Sequence, residues 1–226
     1  MNNTRVVDIA QNLMAKNDAI AERLRTRFAE SRTLVANLLS SPGSGKTTLL
    51  EATLARFAND YRIGVLVGDQ ATENDALRLA RSGVDVRQIT TGEECRLDAD
   101  MIAAALDGWQ KERFDVLFIE NVGNLICPAE YDLGEELRVV LFSVTEGEDK
   151  PLKYPLAFNT SELVLVTKID IAGAVAYDRA AAAASIRQVN PQARILELSA
   201  RSGDGMGEWF ALLEERIRAR SLVPAR

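Results

Sequence analysis

Residues 40–48 read Ser40-Ser41-Pro42-Gly43-Ser44-Gly45-Lys46-Thr47-Thr48, directly after an apolar run. They follow the phosphate-loop pattern G-x-x-x-x-G-K-[ST], with Ser40 at the first glycine. The spacing has a chemical reason. Gly43 and Gly45 let backbone N–H groups turn inward onto phosphates, and Ser44 and Thr48 belong to the same cradle. A helix starting near Lys46 adds the positive end of its dipole. Lys46 then reaches the outer phosphates, and the Thr47 hydroxyl ligates Mg²⁺.

Two acidic segments stand where they can complete such a site. Gly68-Asp69-Gln70-Ala71-Thr72-Glu73-Asn74-Asp75 follows a second apolar run. Asp69, at the strand end, is expected to position the attacking water, and Asp75 to assist Mg²⁺ unless it only forms a capping box with Thr72. Glu120-Asn121-Val122-Gly123 has the position and terminal glycine of a D-x-x-G switch, with Glu120 for the acid. Glu120 can hold Mg²⁺ directly or through water, and Gly123 can aim its N–H at a γ-phosphate. Further on, Thr167-Lys168-Ile169-Asp170 resembles the guanine-reading motif N-K-x-D, with threonine for asparagine. Asp170 would accept from the two donors on the Watson–Crick edge of guanine, which adenine lacks, and Lys168 would lie along the base. A site built on such pairing rejects the wrong base by roughly 10⁴. Ser199-Ala200 resembles the S-A-K segment that closes a base pocket.

The elements that must carry these residues are legible as alternating runs. Apolar stretches cover Thr33–Leu39, Ile63–Val67, Val84–Thr90, Asp115–Glu120, Leu137–Val144, Leu163–Thr167 and Ile195–Leu198. Helical patterns fill 46–58, 73–82, 98–111, about 174–189 and 206–220. This predicts an α/β fold of the phosphate-loop NTPase type, a mostly parallel sheet flanked by helices. Ligands then sit beyond the carboxyl ends of the strands, where every motif above falls. Residues 145–161 show no helical pattern and read as a long functional loop. An amphipathic helix over about 5–30 carries Val6, Ala10, Leu13, Ile20, Leu24 and Phe28 as a stripe expected to pack on the core. The division expected is 1–32 as a helical extension and 33–226 as the nucleotide domain.

Composition excludes several classes. The 226 residues carry 27 basic and 33 acidic side chains, a net charge of −6, which argues against nucleic acid or anionic membrane as a partner. No apolar run approaches a membrane span and no secretory leader is visible. There is no histidine, so any bound metal must use oxygen or thiolate ligands. The two cysteines, Cys95 and Cys127, cannot build a disulfide framework, which fits a reducing cytoplasm. Both fall on the ligand edge, and are either small buried hydrophobes or metal ligands. A two-fold axis would double them into four thiolates suited to Zn²⁺ or Ni²⁺.

SSPGSGKTTLL, GDQATENDA, TGEECRLDA, ENVGNLICPAE, EGEDKPLKYP and TKID together resemble the hydrogenase nickel-incorporation GTPases, the HypB family, over roughly residues 33–200. The resemblance implies GTP- and Mg²⁺-dependent homodimerisation, slow GTP hydrolysis and assistance in nickel insertion into a [NiFe]-hydrogenase large-subunit precursor. It also implies a HypA-type nickel and zinc accessory partner. Unassisted switch GTPases turn over at about 10⁻⁴ to 10⁻² s⁻¹. Lys150 or Lys153 would reach across a dimer or line the base pocket. The family usually has Cys-His where this chain has Cys95-Arg96, and often an N-terminal metal motif that is absent here. Arg96 would ionise a neighbouring thiol yet repel a cation. Three alternatives follow: a HypB-like switch without its own nickel site, a related chaperone serving urease or a cobalamin enzyme, and a phosphate-loop kinase or ATPase. Asp170 argues against the last.

Overall fold

The computed structural model describes residues 3–109 and 113–222, with side chains from residue 12 to 220 outside the gap. Seven strands form one sheet: β1 (Leu34–Ser40), β2 (Ile63–Asp69), β3 (Asp85–Thr90), β4 (Val116–Glu120), β5 (Leu137–Ser143), β6 (Leu163–Thr167) and β7 (Arg194–Leu198). Their order is β3-β2-β4-β1-β5-β6-β7, and every pairing is parallel. The near-continuous Val/Ile/Leu content follows from this, because central parallel strands are covered on both faces. β1, β4 and β6 are buried at every position.

Among the described residues eight α-helices flank the sheet: α1 (Asn3–Ser31), α2 (Lys46–Phe57), α3 (Asn74–Ala80), α4 (Ala99–Asp107), α5 (Lys150–Lys153), α6 (Pro155–Asn159), α7 (Arg179–Val189) and α8 (Met206–Leu222). Alternate strand residues serve opposite faces. Leu34, Ala36 and Leu38 pack with Leu50 and Leu54 of α2 and with Trp209 and Leu213 of α8. Val35 faces the other way, among Ile20, Ala21, Leu24 and Phe28 of α1 and Ile102 of α4. Leu39 joins Phe142, Phe158 of α6 and Ile186 of α7. Local chemistry sets the helix starts: the Asp98 carboxylate accepts from Met101 N–H, and the Asp178 carboxylate from Ala180 and Ala181 N–H.

Three expectations need correction. The 145–161 segment is not a plain loop, since α5 and α6 lie within it. Each has proline in its first turn and five residues or fewer, too short for a period to register. The pattern at 174–189 begins as a helix only at Arg179, because Asp178 caps it there. Leu13 is 58% exposed rather than on the core stripe. The core face of α1 is carried by Ile20, Leu24 and Phe28. The Val6 and Ala10 side chains, and residues 110–111 of the predicted 98–111 helix, lie outside the described residues.

One polar side chain bolts α1 to the body. Asn17 is buried; its Oδ1 accepts from Ala99 N–H at 2.9 Å and its Nδ2 donates to the Asp132 carbonyl at 2.9 Å. Arg25 adds an ion pair to Asp132 at 2.6 Å. No helix among the described residues is long and apolar enough to cross a membrane.

Candidate functional site

The phosphate loop leaves β1, the central strand, at the carboxyl edge of the sheet. Gly43 and Gly45 adopt φ of 76° and 102°, a left-handed backbone that side-chain-bearing residues rarely take. α2 follows with no side-chain cap on its first N–H groups, which leaves them free to face an anion. Lys46 is buried and its Nζ donates to Ser40 Oγ at 2.8 Å. Burial lowers the Lys46 pKa, opposed by the negative charges of Glu120, Asp75, Glu146 and Asp69. Ser40, which stands for the first glycine of the motif, thus docks the lysine; sequence reasoning gave it no part.

The predicted acids converge on the same cleft. Thr47 Oγ1 donates to Glu120 Oε1 at 2.7 Å, while Glu120 Oε2 is buried with no partner. Burial pushes the Glu120 pKa up to about 7, against the pull of Lys46 and the Thr47 hydroxyl. An orphaned carboxylate oxygen beside a hydroxyl is a hard-oxygen pair that fits Mg²⁺, which takes few protein ligands and completes its shell with water and phosphate oxygens. Gly123 lies against the loop: a Cβ there would stand 3.2 Å from Pro42 Cα. Lys46, Thr47, Thr48, Asp69, Asp75, Glu120, Gly123 and Lys168 line one cavity of about 650 Å³.

Asp69 lines the cleft and also shapes its own loop. Its Oδ1 accepts from Ala71 and Thr72 N–H at 2.9 and 2.7 Å, closing its own turn. Burial raises the Asp69 pKa, but the Thr72 and Ala71 bonds prevail and the net shift is downward. Asp75 forms no capping box: α3 starts at Asn74 without a side-chain cap, and Asp75 pairs with Arg78 at 3.4 Å. Arg78, which lines the cleft and is held by Glu51 at 2.6 Å, was missed because its pattern resembles any solvated helix face.

The base segment meets the phosphate cleft. A second cavity of about 320 Å³ is lined by Ser44, Gly45, Thr48, Thr167, Lys168, Asp170, Ser199 and Ala200. Gly45, Thr48 and Lys168 border both cavities. Lys168 has φ of 62°, a left-handed conformation that side-chain-bearing residues seldom adopt. Thr167, in place of asparagine, keeps a tie to the phosphate loop: its Oγ1 donates to the Ser44 carbonyl at 2.8 Å. Lys153 lines neither cavity; it is 62% exposed and paired with Asp149 at 2.6 Å, which corrects its placement in the base pocket of its own chain.

Cys95 and Cys127 also depart from expectation. They are joined as a disulfide, with Cα atoms 6.2 Å apart, so neither is the thiolate envisaged. The physical reason is proximity: the loops after β3 and β4 touch, with Asn124 Nδ2 donating to the Cys95 carbonyl at 3.4 Å. Arg96 stacks on the Tyr131 ring at 3.9 Å and pairs with Glu94. Among the described residues no cluster of three or more potential metal ligands occurs. The bonded pair does not fit a nickel or zinc ion as it stands.

The chain is similar to known proteins over most of its length. The family described as "CobW/HypB/UreG, nucleotide-binding domain" matches residues 34–197. The hydrogenase maturation factor HypB of Azotobacter chroococcum mcd 1 is 46% identical over 224 residues, covering 97% of this chain and 73% of that protein. The HypB crystal structure from Archaeoglobus fulgidus superposes with a TM-score of 0.84 at 41% identity, over 90% of this chain and all of that one. HypB from Helicobacter pylori in complex with nickel gives 0.85 at 40% identity, over 90% and 96%. With identities of 40–46% over 90% or more of its length and a matching fold, the chain belongs to the HypB family of hydrogenase maturation factors.

Proposed function

We propose that this chain binds GTP with Mg²⁺, hydrolyses it slowly, and uses the nucleotide as a switch during nickel insertion into a [NiFe]-hydrogenase precursor. One observation carries the nucleotide reading: the cavity bordered by Lys46, Thr47 and Glu120 and the cavity bordered by Asp170 share Gly45, Thr48 and Lys168. That is the outline of phosphates joined to a base. Lys46 would leave Ser40 for the outer phosphates, while Thr47 and Glu120 would hold Mg²⁺, which supplies charge neutralisation between the phosphates when bound. Gly43, Ser44 and Gly45 would present N–H groups, and Gly123 a further N–H toward the γ-phosphate. Asp170 would read guanine against the wall of Ser199 and Ala200. Asp69 would place the attacking water with Oδ2, since its turn bonds all fall on Oδ1.

The homodimer, the HypA-type partner, the cytoplasmic setting and the division into 1–32 and 33–226 belong to the same reading. Lys153, exposed on α5, would act across a dimer rather than on its own base pocket, whereas Lys150 is held within its own chain by Glu146. A GTPase switch without its own nickel site is the second reading, and the bonded Cys95–Cys127 pair favours it. Under that reading the partner carries nickel. Comparing GTP with ATP binding for wild type, Lys46→Ala and Asp170→Ala tests the nucleotide assignment. Equal affinities for the two nucleotides, or undiminished GTP uptake in both variants, would remove it. Size measurement with GDP and with a non-hydrolysable GTP analogue, with metal analysis of each fraction, separates the two readings.

A further inference from the structure

Thr145-Glu146-Gly147-Glu148-Asp149-Lys150 is the polar stretch that ordinarily makes a solvated loop. The Glu146 side chain is instead only 12% exposed. Its Oε1 accepts from the Ser44 hydroxyl at 2.7 Å and from Ser143 N–H at 3.0 Å, and Oε2 lies 3.2 Å from Lys150 Nζ. Burial alone would raise its pKa; the Ser44, Ser143, Ser41 and Lys150 donors outweigh that and hold it below the usual carboxylate range. Glu146 is therefore ionised at neutral pH, and placing a charge there costs desolvation free energy.

Its partner stands at the crown of the phosphate loop. Ser44 lies between two glycines of positive φ, where backbone freedom is greatest. Its single hydroxyl hydrogen has two acceptors, Glu146 at 2.7 Å and the Ser41 carbonyl at 2.9 Å. Its carbonyl accepts from Thr167 at 2.8 Å. The crown is thus gripped by residues 102 and 123 positions away in sequence, one after β5 and one at the end of β6. Left ungripped, the glycine-flanked crown would have to be ordered by the nucleotide at the moment of binding.

We propose that Glu146 is a positioning residue for the nucleotide, holding Ser44 so that the phosphate loop and the base segment are preset in one geometry. This rests on the guanine-nucleotide reading above. Glu146 lines neither cavity and acts through Ser44.

The test is GDP affinity with Mg²⁺ for the full chain as wild type, Glu146→Ala, Glu146→Gln, Ser44→Ala and the Ser44→Ala/Glu146→Ala double variant, with nucleotide-free thermal unfolding alongside. Glu146→Ala is expected to weaken GDP binding roughly 10- to 100-fold, the range of a hydrogen bond to a charged group. Glu146→Gln keeps an acceptor oxygen for both bonds and is expected within about threefold of wild type. The double variant is expected to bind no worse than its weaker parent, because both changes break one contact. Unchanged GDP affinity in Glu146→Ala, even with lowered thermal stability, overturns the proposal, as do losses that multiply in the double variant. If Glu146→Ala does not fold, Ser44→Ala decides: a loss of affinity upholds the grip, and none overturns it. Wild type that takes up no GDP would instead overturn the guanine reading itself.

Discussion

Glu120 makes a prediction whose size follows from its surroundings. Burial raises its pKa from 4.5 to about 7. Between those values the folded chain holds a proton that the unfolded chain has released, so stability falls as pH rises. The contribution is fully present below about pH 4.5 and lost through about pH 7. Linkage arithmetic places roughly 2 to 3 kcal/mol of loss between pH 5 and pH 8 on this one group. Replacing Glu120 by Gln removes the titration while keeping an acceptor for Thr47. The quantity to measure is the difference in unfolding free energy between wild type and Glu120→Gln, metal-free in a chelator, by denaturant titration across that range. The two lines should converge toward pH 5 and separate toward pH 8, with Glu120→Gln the more stable; as melting temperatures the separation is roughly 4–12 °C. Adding Mg²⁺ with GDP at pH 8 should stabilise wild type and do much less for Glu120→Gln, because the metal takes up the buried charge. Parallel pH profiles would refute the account, since an exposed or fully neutralised Glu120 has no slope to give.

Three further outcomes follow from single contacts. Thr167→Val keeps shape but leaves the buried Ser44 carbonyl without its donor; a loss of about 1–3 kcal/mol is expected by denaturant titration, and an unchanged midpoint would sink the tie. Asn17→Ala strands Ala99 N–H and the Asp132 carbonyl, and roughly 2–4 kcal/mol should disappear with faster amide exchange at Ala99; unaltered exchange would show that α1 is held by apolar packing alone. Thiol titration of native protein prepared without reductant should find no reactive sulfhydryl, and Cys95→Ser should expose that of Cys127; two reactive thiols in the wild type would disprove the pairing.

What could be read in advance divides along physical lines. Strand limits were legible to within about two residues because apolar runs between two helical layers leave little choice of period: Leu163–Thr167 coincides, and Leu34–Ser40 shifts by one. The phosphate-loop pattern and the Thr167-Lys168-Ile169-Asp170 segment could be singled out because each is contiguous in sequence, and the structure sets them on adjoining cavities. Glu146 could not, because nothing in TEGEDK tells a buried acid from a solvated one. The Cys95–Cys127 bond is a matter of two loops meeting across the edge of a sheet, a distance that spacing does not carry. Asp69 stands in the cleft as expected, and the turn its Oδ1 closes is a second role that the sequence did not reveal. Leu13 shows that helical periodicity tells which residues share a face, not how far along the helix the protein body reaches.

The two ties on Ser44 bear on how the chain comes to maturity. A ribosome that has released β1 and α2 has already delivered every residue of the phosphate loop, yet Thr167 lies 123 positions later. Until β5 and β6 have docked, the crown has neither of its distant restraints, and such long-range closure is the slow part of acquiring a parallel sheet. On the guanine-nucleotide reading, capture would then come late in biogenesis, and a nascent or truncated chain ending short of β6 would bind guanine nucleotides weakly.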